Sequence, residues 1–207
     1  MKQPRIFPIL LAAGRPPRAK APNAMARRGS KTPLQIAVEN CAALERPIVV
    51  LGFQSQQLLP SVPKTARIVI NCNWRAGQIT SLRAGLRKIP ANASFLLYPV
   101  DLVFLKASVI RRLAVAFQKR APRHQIVMPV CRGRDGHPVI FASELRQELR
   151  HATTARDVVY GNEARIKRVP VFTPAIWKDS GNSSTANRHP ARKSARRALP
   201  AGTLQHM

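Results

Sequence analysis

The sequence predicts an α/β protein built on an open, mostly parallel sheet with helices on both faces. The first observation is that short apolar runs alternate with segments of helical periodicity along most of the 207 residues. The second is that these apolar runs are almost continuous, which is typical of strands buried on both faces of a parallel sheet. Such an alternation is expected to use right-handed crossovers. The 45% hydrophobic content is enough for one sizeable core.

The first predicted strand lies in the segment RIFPILLAAGRPPR, residues 5–18, and its apolar run is stopped by Gly14. Small residues at the end of a buried strand let another molecule approach the backbone closely. Arg15 and Arg18 carry guanidinium groups that suit a phosphate. We therefore predict that the loop after the first strand binds a phosphorylated ligand.

The other predicted elements follow in chain order from their periodicity and caps. A long basic loop is predicted over residues 15–31, and Thr32 and Pro33 are predicted as the N-cap and first residue of a helix. Helices are predicted over residues 33–44, 54–59, 78–86, 106–119, 143–149 (with Ser143 as its cap) and 157–160. Further strands are predicted over residues 47–51, 67–70, 94–100, 125–130, 139–141 and 165–171.

The domain is predicted to span residues 1–178. Beyond it, residues 179–207 are rich in Ser, Asn, Ala, Arg and Pro and have no apolar period from which a core element could be built. This composition predicts a disordered basic tail.

The charge is strongly positive, with 35 Lys and Arg against 9 Asp and Glu, a formal net charge of +26. Such a field attracts polyanions, so a nucleic-acid-binding protein is one alternative. The basic residues are nevertheless spread along the chain, without a zinc-finger spacing, and only 5% of residues are aromatic. These features favour a generally arginine-rich composition over a dedicated nucleic-acid surface.

The three cysteines, Cys41, Cys72 and Cys131, are far apart and form no CxxC pair. Their number and spacing argue against a disulfide scaffold and a structural zinc site, and predict a cytoplasmic, reducing location. The first apolar run contains Pro8 and is followed by arginines, which disfavours an export signal. Apolar stretches of about 18 residues are absent, so no membrane span is expected.

Three polar positions are candidates for chemistry. Asp101 follows a predicted buried strand, where the loops of a parallel sheet form a ligand crevice, and its carboxylate could hold Mg²⁺ against phosphates. The alternative is a helix cap or a solvated loop residue. Gln78 begins a helix, whose free N–H groups suit phosphate or ribose oxygens. His137, between a glycine and a proline, could shape a substrate pocket or serve as a structural hydrogen-bonding residue.

Several common nucleotide-binding and hydrolase patterns are absent. The sequence contains no GxxxxGK[ST] phosphate loop, no GxGxxG and no GxSxG nucleophile elbow. The chemistry predicted here therefore does not depend on a P-loop or on a Ser-His-Asp triad.

Four segments taken together resemble one family. They are LLAAGRPPR at residues 10–18, NCNWRAGQITSLRAGL at 71–86, FLLYPVD at 95–101 and GRDGHPVIF at 133–141. In this order and spacing they resemble the MobA-like nucleotidyltransferases, and are most similar to the molybdenum cofactor cytidylyltransferase branch. The resemblance covers roughly residues 5–172.

The resemblance implies a Rossmann-like three-layer sandwich of the nucleotide-diphospho-sugar transferase type. It implies transfer of a nucleoside monophosphate from CTP or GTP, with CTP expected, to a phosphorylated acceptor such as molybdopterin, with Mg²⁺ present and pyrophosphate released. Arg18 and Asp101 would be catalytic, with Asp101 also the metal ligand, and His137 would bind the acceptor substrate. The implied nucleotide-binding residues are Leu11, Ala12, Ala13, Gly14, Arg15, Arg18, Gln78 and Ser81.

The sequence also departs from the family pattern. Asn23 stands where a lysine is expected, Gly181 stands where a second metal-binding aspartate is expected, and Asp101 is followed by Leu102 and Val103 where the family pattern continues Asp-x-Pro. Loss of one charged partner of this kind costs about 10²–10³ in rate. We therefore expect impaired catalysis, and a ligand-binding protein without transfer activity is the alternative.

Overall fold

The computed structural model describes residues 5–15 and 30–177, and within them one sheet is covered by helices on both faces. Its strands are β1 (Ile6–Ala12), β2 (Ile48–Leu51), β3 (Arg67–Ile70), β4 (Ser94–Pro99), β5 (Ile126–Cys131), β6 (Arg134–Asp135), β7 (Val139–Phe141) and β8 (Ile166–Pro170). The helices are α1 (Pro33–Asn40), α2 (Ser55–Leu58), α3 (Gln78–Leu86), α4 (Ala107–Gln118), α5 (Arg146–His151) and α6 (Ala155–Tyr160).

The strand order is β3-β2-β1-β4-β7-β5-β6, with β8 also paired to β5. The strands β3, β2, β1 and β4 are mutually parallel, and β8 is parallel to β5. Only β7 and the short β6 run antiparallel to their neighbours among the described strands. The predicted fold class, an α/β sandwich on a mostly parallel sheet, is confirmed.

β1 lies in the middle of the parallel half of the sheet, and all seven of its residues are buried. Its side chains alternate between two cores. Leu10 packs with the core under α1 and α4, whereas Ile9 packs with the core under α3 and α5. A strand covered on both faces needs apolar residues at every position, which explains the continuous apolar run in the sequence.

Helix boundaries follow the predicted caps in some places and not in others. Thr32 caps α1 in a capping box with Gln35, as predicted. However, α1 ends at Asn40 and not at residue 44, because the chain turns back so that the Glu45 N–H donates to the Ile6 carbonyl. Ser143 is not a cap either, since it begins a 3-10 turn that is preceded by Ala142.

No helix in the described ranges has the length and apolarity needed to cross a bilayer. Most of the predicted basic loop, including Arg18 and Asn23, lies outside the described residues. The predicted tail, residues 179–207, with Gly181, also lies outside them.

Candidate functional site

The candidate site lies where the strand order reverses, between β1 and β4. From β1 the chain builds the sheet outward through β2 and β3, and then returns to the other side of β1 with β4. In parallel sheets this switch point leaves a ligand crevice at the carboxyl ends of the strands. The Val100 N–H donates to the Leu11 carbonyl at 3.2 Å, so the loops after β1 and β4 leave the sheet side by side. Gly14 and Asp101 therefore follow adjacent strand ends.

The loop after β1 divides into a buried and an exposed part. Leu11, Ala12 and Ala13 are buried, and their backbone is engaged in the sheet or, for the Ala13 carbonyl, by the Phe53 N–H at 3.0 Å. Gly14 is exposed, and a Cβ built on it would meet no atom within 4 Å. The open surface of this loop is thus formed by Gly14 and Arg15. The predicted residues Leu11, Ala12 and Ala13 are buried beneath that surface.

Asp101 occupies the turn directly after β4 and is half-buried. Its carbonyl accepts a hydrogen bond from the Val103 N–H at 2.8 Å, which fixes the turn. Asp101 also acts electrostatically on the β4 side chain Tyr98. The pKa of this phenol is raised chiefly by burial, and Cys41 and Asp101 raise it by smaller amounts. Asp101 is therefore a carboxylate at the switch point, as the sequence predicts.

The donor set at this edge fits a metal that is shared with a substrate. Among the described residues there is no group of three His, Cys, Asp or Glu side chains that could hold an ion alone. Mg²⁺ is ordinarily bound by one or two carboxylates, with substrate phosphates and water completing the shell. A single Asp101 carboxylate matches that arrangement and does not match a metal cage made only of protein.

The loop between β3 and α3 is held by Asn71. The buried Asn71 side chain donates to the hydroxyls of Thr80 and Ser81 at 2.9 and 3.0 Å, and accepts from the Asn73 N–H at 3.1 Å. Ser81 is thus buried and tied to Asn71, beneath the first turn of α3. The predicted nucleotide contact of Ser81 remains a prediction, whereas its contact with Asn71 anchors the helix.

Gly77 sets the direction in which α3 begins. Its φ of +100° lies in the left-handed region that side-chain-bearing residues avoid, and no side chain caps the helix after it. Gln78, the first helical residue, is exposed. The amino end of α3 thus carries N–H groups that no side chain caps, and such groups attract anions.

Two aromatic rings and two arginines lie in a row along this edge of the sheet, and only the Arg15 member of the row was predicted as a site residue. The Arg15 guanidinium lies 5.7 Å from the centre of the Phe53 ring. Phe53 and Trp74 meet edge to face with their centres 5.5 Å apart, and Arg75 lies 4.5 Å from the centre of the Trp74 ring. We call these four residues the arginine–aromatic ladder. A signal was available in the sequence, because each member follows closely on a predicted strand.

His137 lies at the same edge of the sheet, on the other side of β4. His137 precedes β7, which runs antiparallel to β4, so it lies at the end of the sheet where β4 finishes. The His137 N–H donates to the Ile176 carbonyl at 2.8 Å, while its Nδ1 is buried without a hydrogen-bond partner. Burial lowers the pKa of His137 to about 4, so the imidazole is neutral at pH 7.

The predicted site residue Arg18 lies outside the described residues, as do Asn23 and Gly181, the two positions that depart from the family pattern. The structure thus brings the remaining predicted residues, Gly14, Arg15, Gln78, Asp101 and His137, to one edge of the sheet. It places Leu11, Ala12, Ala13 and Ser81 underneath that edge.

Comparison with solved structures identifies several proteins that share this fold. Rv0371c from Mycobacterium tuberculosis H37Rv is 20% identical, with a TM-score of 0.73 over 87% of this chain and 94% of that chain. Its complex with manganese gives a TM-score of 0.67 at 20% identity, covering 83% and 90% of the two chains. A nucleotidyl transferase from Methanothermobacter thermautotroptrophicus, Mth528, is 18% identical with a TM-score of 0.69, covering 82% and 88%.

A more distant structure is molybdopterin-guanine dinucleotide biosynthesis protein A from Archaeoglobus fulgidus, which is 16% identical. Its TM-score is 0.56, and the match covers 80% of this chain and 83% of that chain. At such identities the likeness shows a shared fold. No curated protein matches the sequence.

The family itself is shown by the sequence. The family model described as the MobA-like NTP transferase domain matches residues 8–167, a range that contains all the strands from Pro8 of β1 to Lys167 of β8 and the edge on which Gly14, Asp101 and His137 lie. The chain therefore belongs to the MobA-like NTP transferase domain family.

Proposed function

We propose that the protein is a nucleotidyltransferase that transfers a nucleoside monophosphate from an NTP to a phosphorylated acceptor and releases pyrophosphate. The observation that carries the proposal is the hydrogen bond between Val100 and Leu11, which sets the loop of Gly14 beside the turn of Asp101. An open, glycine-containing loop beside a carboxylate at the switch point suits a metal-bound nucleotide.

In the proposed reaction a phosphate oxygen of the acceptor attacks the α-phosphorus of the NTP. The new P–O bond forms as the bond to the β-phosphate oxygen breaks, and pyrophosphate leaves with the electron pair. Gly14 and Arg15 would bind the polyphosphate, and the amino end of α3 at Gln78 would face the nucleotide. An acceptor phosphate is already anionic, so the attack needs no proton transfer from the protein, and a neutral His137 is compatible with that.

We propose that Asp101 and the substrate phosphates share a divalent metal ion, with Mg²⁺ expected. The metal would neutralise charge that develops on the phosphate oxygens. The manganese complex of Rv0371c is consistent with a divalent ion in this fold. Arg18 is proposed as a second cationic group for the triphosphate, on the strength of the segment LLAAGRPPR.

The finer specificity is proposed from the sequence. The segments at residues 71–86 and 133–141 are most similar to the cytidylyltransferase branch, which favours CTP over GTP and a phosphorylated pterin such as molybdopterin as the acceptor. His137 precedes β7, which lies on the side of β4 away from β1, and we assign it to the acceptor. We place the protein in the cytoplasm, because Cys41, Cys72 and Cys131 are all free thiols.

The proposal is tested first by binding and turnover. Isothermal titration with CTP, GTP and ATP in the presence of Mg²⁺ should show binding of at least one nucleotide, with CTP expected to be preferred. Failure of all three at millimolar concentration would overturn the nucleotide site. Pyrophosphate release with a panel of phosphorylated acceptors then measures transfer.

Asp101→Asn is the sharpest variant for the proposed metal site. It removes the charge but keeps the shape, so we expect pyrophosphate release to fall by about 10²–10³ while the thermal unfolding temperature changes little. Glu39→Gln, which removes an exposed carboxylate on α1 paired with Lys31, is the matched control and should leave turnover unchanged. Full activity in Asp101→Asn would remove the metal role.

A ligand-binding protein without transfer activity is the second candidate. It is favoured by Asn23 and Gly181, which stand where the family pattern has charged residues. In that case nucleotide binding would persist without pyrophosphate release for any acceptor. Turnover that Asp101→Asn abolishes would reject this candidate.

A further inference from the structure

We propose that Phe53 and Trp74 are positioning residues that hold the Arg15 guanidinium ready for the polyphosphate of the bound nucleotide. This inference rests on the proposed nucleotide site and adds the means by which one of its cations is fixed. It concerns the arginine–aromatic ladder of Arg15, Phe53, Trp74 and Arg75.

The ladder crosses three neighbouring parallel strands at their carboxyl ends. Arg15 follows β1, Phe53 follows β2, and Trp74 and Arg75 follow β3, in the same lateral order as the strands in the sheet. The Phe53 N–H donates to the Ala13 carbonyl at 3.0 Å, which ties the second loop directly to the first. The backbone of Phe53 is thus held next to the loop of Arg15.

Trp74 is fixed by close packing against Gly52. A Cβ built on Gly52 would lie 2.7 Å from the Trp74 Cβ and 2.8 Å from the Ala13 carbonyl oxygen, so only glycine leaves room for the indole here. The same loop is braced by the bond from the Asn73 N–H to Asn71. The Phe53 ring packs edge to face against this fixed indole, with the ring centres 5.5 Å apart, and is thereby held in place.

Within residues 5–15 and 30–177, the Arg15 guanidinium is engaged by the Phe53 ring and by no hydrogen-bond acceptor. Arg165 and Arg168 donate to carboxylates at 2.6 and 2.9 Å, but no carboxylate in the described part of the chain forms an ion pair with Arg15. Contact with an aromatic ring uses the cation's attraction to the π face, and it leaves N–H groups to form bidentate bonds with a phosphate.

Holding a long side chain in advance strengthens binding. An arginine side chain loses rotamer freedom when it is immobilised, and part of that cost is removed if the free protein already restrains it. The outer end of the ladder, Arg75 over Trp74, adds a second positive charge next to the same rings. The ladder is therefore expected to raise affinity for a polyphosphate and to matter little for an uncharged nucleoside.

The experiment uses the fluorescence of Trp74 in full-length protein. The chain has two tryptophans, so Trp177→Phe leaves Trp74 as the only reporter. Inorganic tripolyphosphate, Mg²⁺-CTP and cytidine are titrated into this protein and into Arg15→Ala, Phe53→Leu and Phe53→Tyr made on it. Arg111→Ala, on the exposed face of α4, and Phe172→Leu, at an exposed aromatic, are the matched controls.

We expect Arg15→Ala to weaken tripolyphosphate and Mg²⁺-CTP about ten- to a hundredfold, as for a lost hydrogen bond to a charged group. Phe53→Leu should weaken both about two- to fivefold, Phe53→Tyr should restore affinity, and cytidine binding should be unaffected. In the Arg15→Ala background, Phe53→Leu should cause no further loss, because there is then no guanidinium for the ring to position.

The inference would be overturned if the losses of affinity simply added in the double variant. It would also be overturned if the Phe53→Leu protein bound both anions normally. A complete lack of tripolyphosphate binding would overturn it as well. If tripolyphosphate binding shows the coupled loss but no NTP binds, the ladder stands and the proposed nucleotidyltransferase function fails. If transfer is active and the two substitutions are independent, only the ladder's role fails.

Discussion

His137 is a neutral, largely buried imidazole whose Nδ1 has no hydrogen-bond partner. Below its ordinary pKa of about 6.5 an unfolded chain takes up a proton at this position, whereas the folded protein does not do so until the pH approaches 4. The unfolded state therefore binds more protons between these two values. Stability contributed by neutral His137 is fully present above pH 6.5 and is lost as the pH falls from 6.5 toward 4.

We predict that unfolding free energies of the native protein fall by up to about 3 kcal/mol across this window because of His137 alone. His137→Gln keeps a polar side chain but cannot titrate, so its stability should depend less steeply on pH. Urea denaturation at pH 7.5, 6.0 and 4.5 measures the difference. His124, whose pKa is also lowered by burial and by Arg123 and Lys167, is present in both proteins and cancels. The prediction would be contradicted if the unfolding free energies of the two proteins fell by the same amount as the pH is lowered.

At the scale of single elements, α3 owes its position to Gly85. A Cβ on Gly85 would lie 2.5 Å from the Ile9 Cγ2 and 3.2 Å from the Val50 Cγ2, so the helix backbone rests directly on β1 and β2. Both of those side chains belong to buried strands that have little room to move. The amino end of α3, with Gln78, keeps its place at the site through this contact.

Gly85→Ala should destabilise the protein by about 1–3 kcal/mol, because an extra methyl group forces the helix away from the sheet. We also expect weaker nucleotide binding, since the shift moves Gln78 at the other end of the helix. Thermal unfolding and titration with Mg²⁺-CTP measure the two effects. Lys88→Ala, at an exposed position just beyond the same helix, is the control and should lie within about 0.5 kcal/mol of the native protein.

Elements that depend on local pattern were predictable from the sequence. The strand β1 was visible as an apolar run, and the start of α1 was visible as Thr32-Pro33, because burial on two faces and helix capping each need particular residues at fixed spacing. Asp101 was found because it follows such a run. The family resemblance added Ser81 to the candidate list.

Features that depend on long-range contacts were not predictable. The antiparallel direction of β7 is set by its pairing with β4 and β5, and the end of α1 by the bond from Glu45 to Ile6. Arg15, Phe53 and Trp74 of the ladder each follow a predicted strand, but the lateral order of β1, β2 and β3 that brings them together is set by long-range pairing. Burial of Ser81 by Asn71 likewise appears only when β3 and α3 are placed together.

At the scale of the whole molecule, the net charge of +26 is a source of instability. Few ion pairs are available to offset it with only 9 acidic residues, and a large net charge disfavours the compact state through self-repulsion. Salt screens this repulsion, since the Debye length falls from about 30 Å at 0.01 M to about 8 Å at 0.15 M.

We predict that the unfolding temperature rises when NaCl is increased from about 0.01 to 0.15 M. Each 1 kcal/mol of unfolding free energy that screening restores should raise it by about 2–4 °C. Differential scanning calorimetry measures it. Arg111→Glu together with Arg112→Glu, both on exposed positions of α4, should reduce the dependence on salt. An unfolding temperature that is independent of NaCl in the native protein would contradict the prediction.

The pairing of β4 has a consequence for how the protein is made. β4 pairs with β1 on one side, but its other side pairs only with β7, which ends at Phe141, 42 residues after Pro99. During synthesis at about 5–20 residues per second, a nascent chain would thus expose the apolar edge SFLLYP for roughly 2–8 s before β7 emerges from the ribosome. Unpaired apolar edges recruit other strands, so a slow codon or pause within this interval would favour aggregation of the nascent chain.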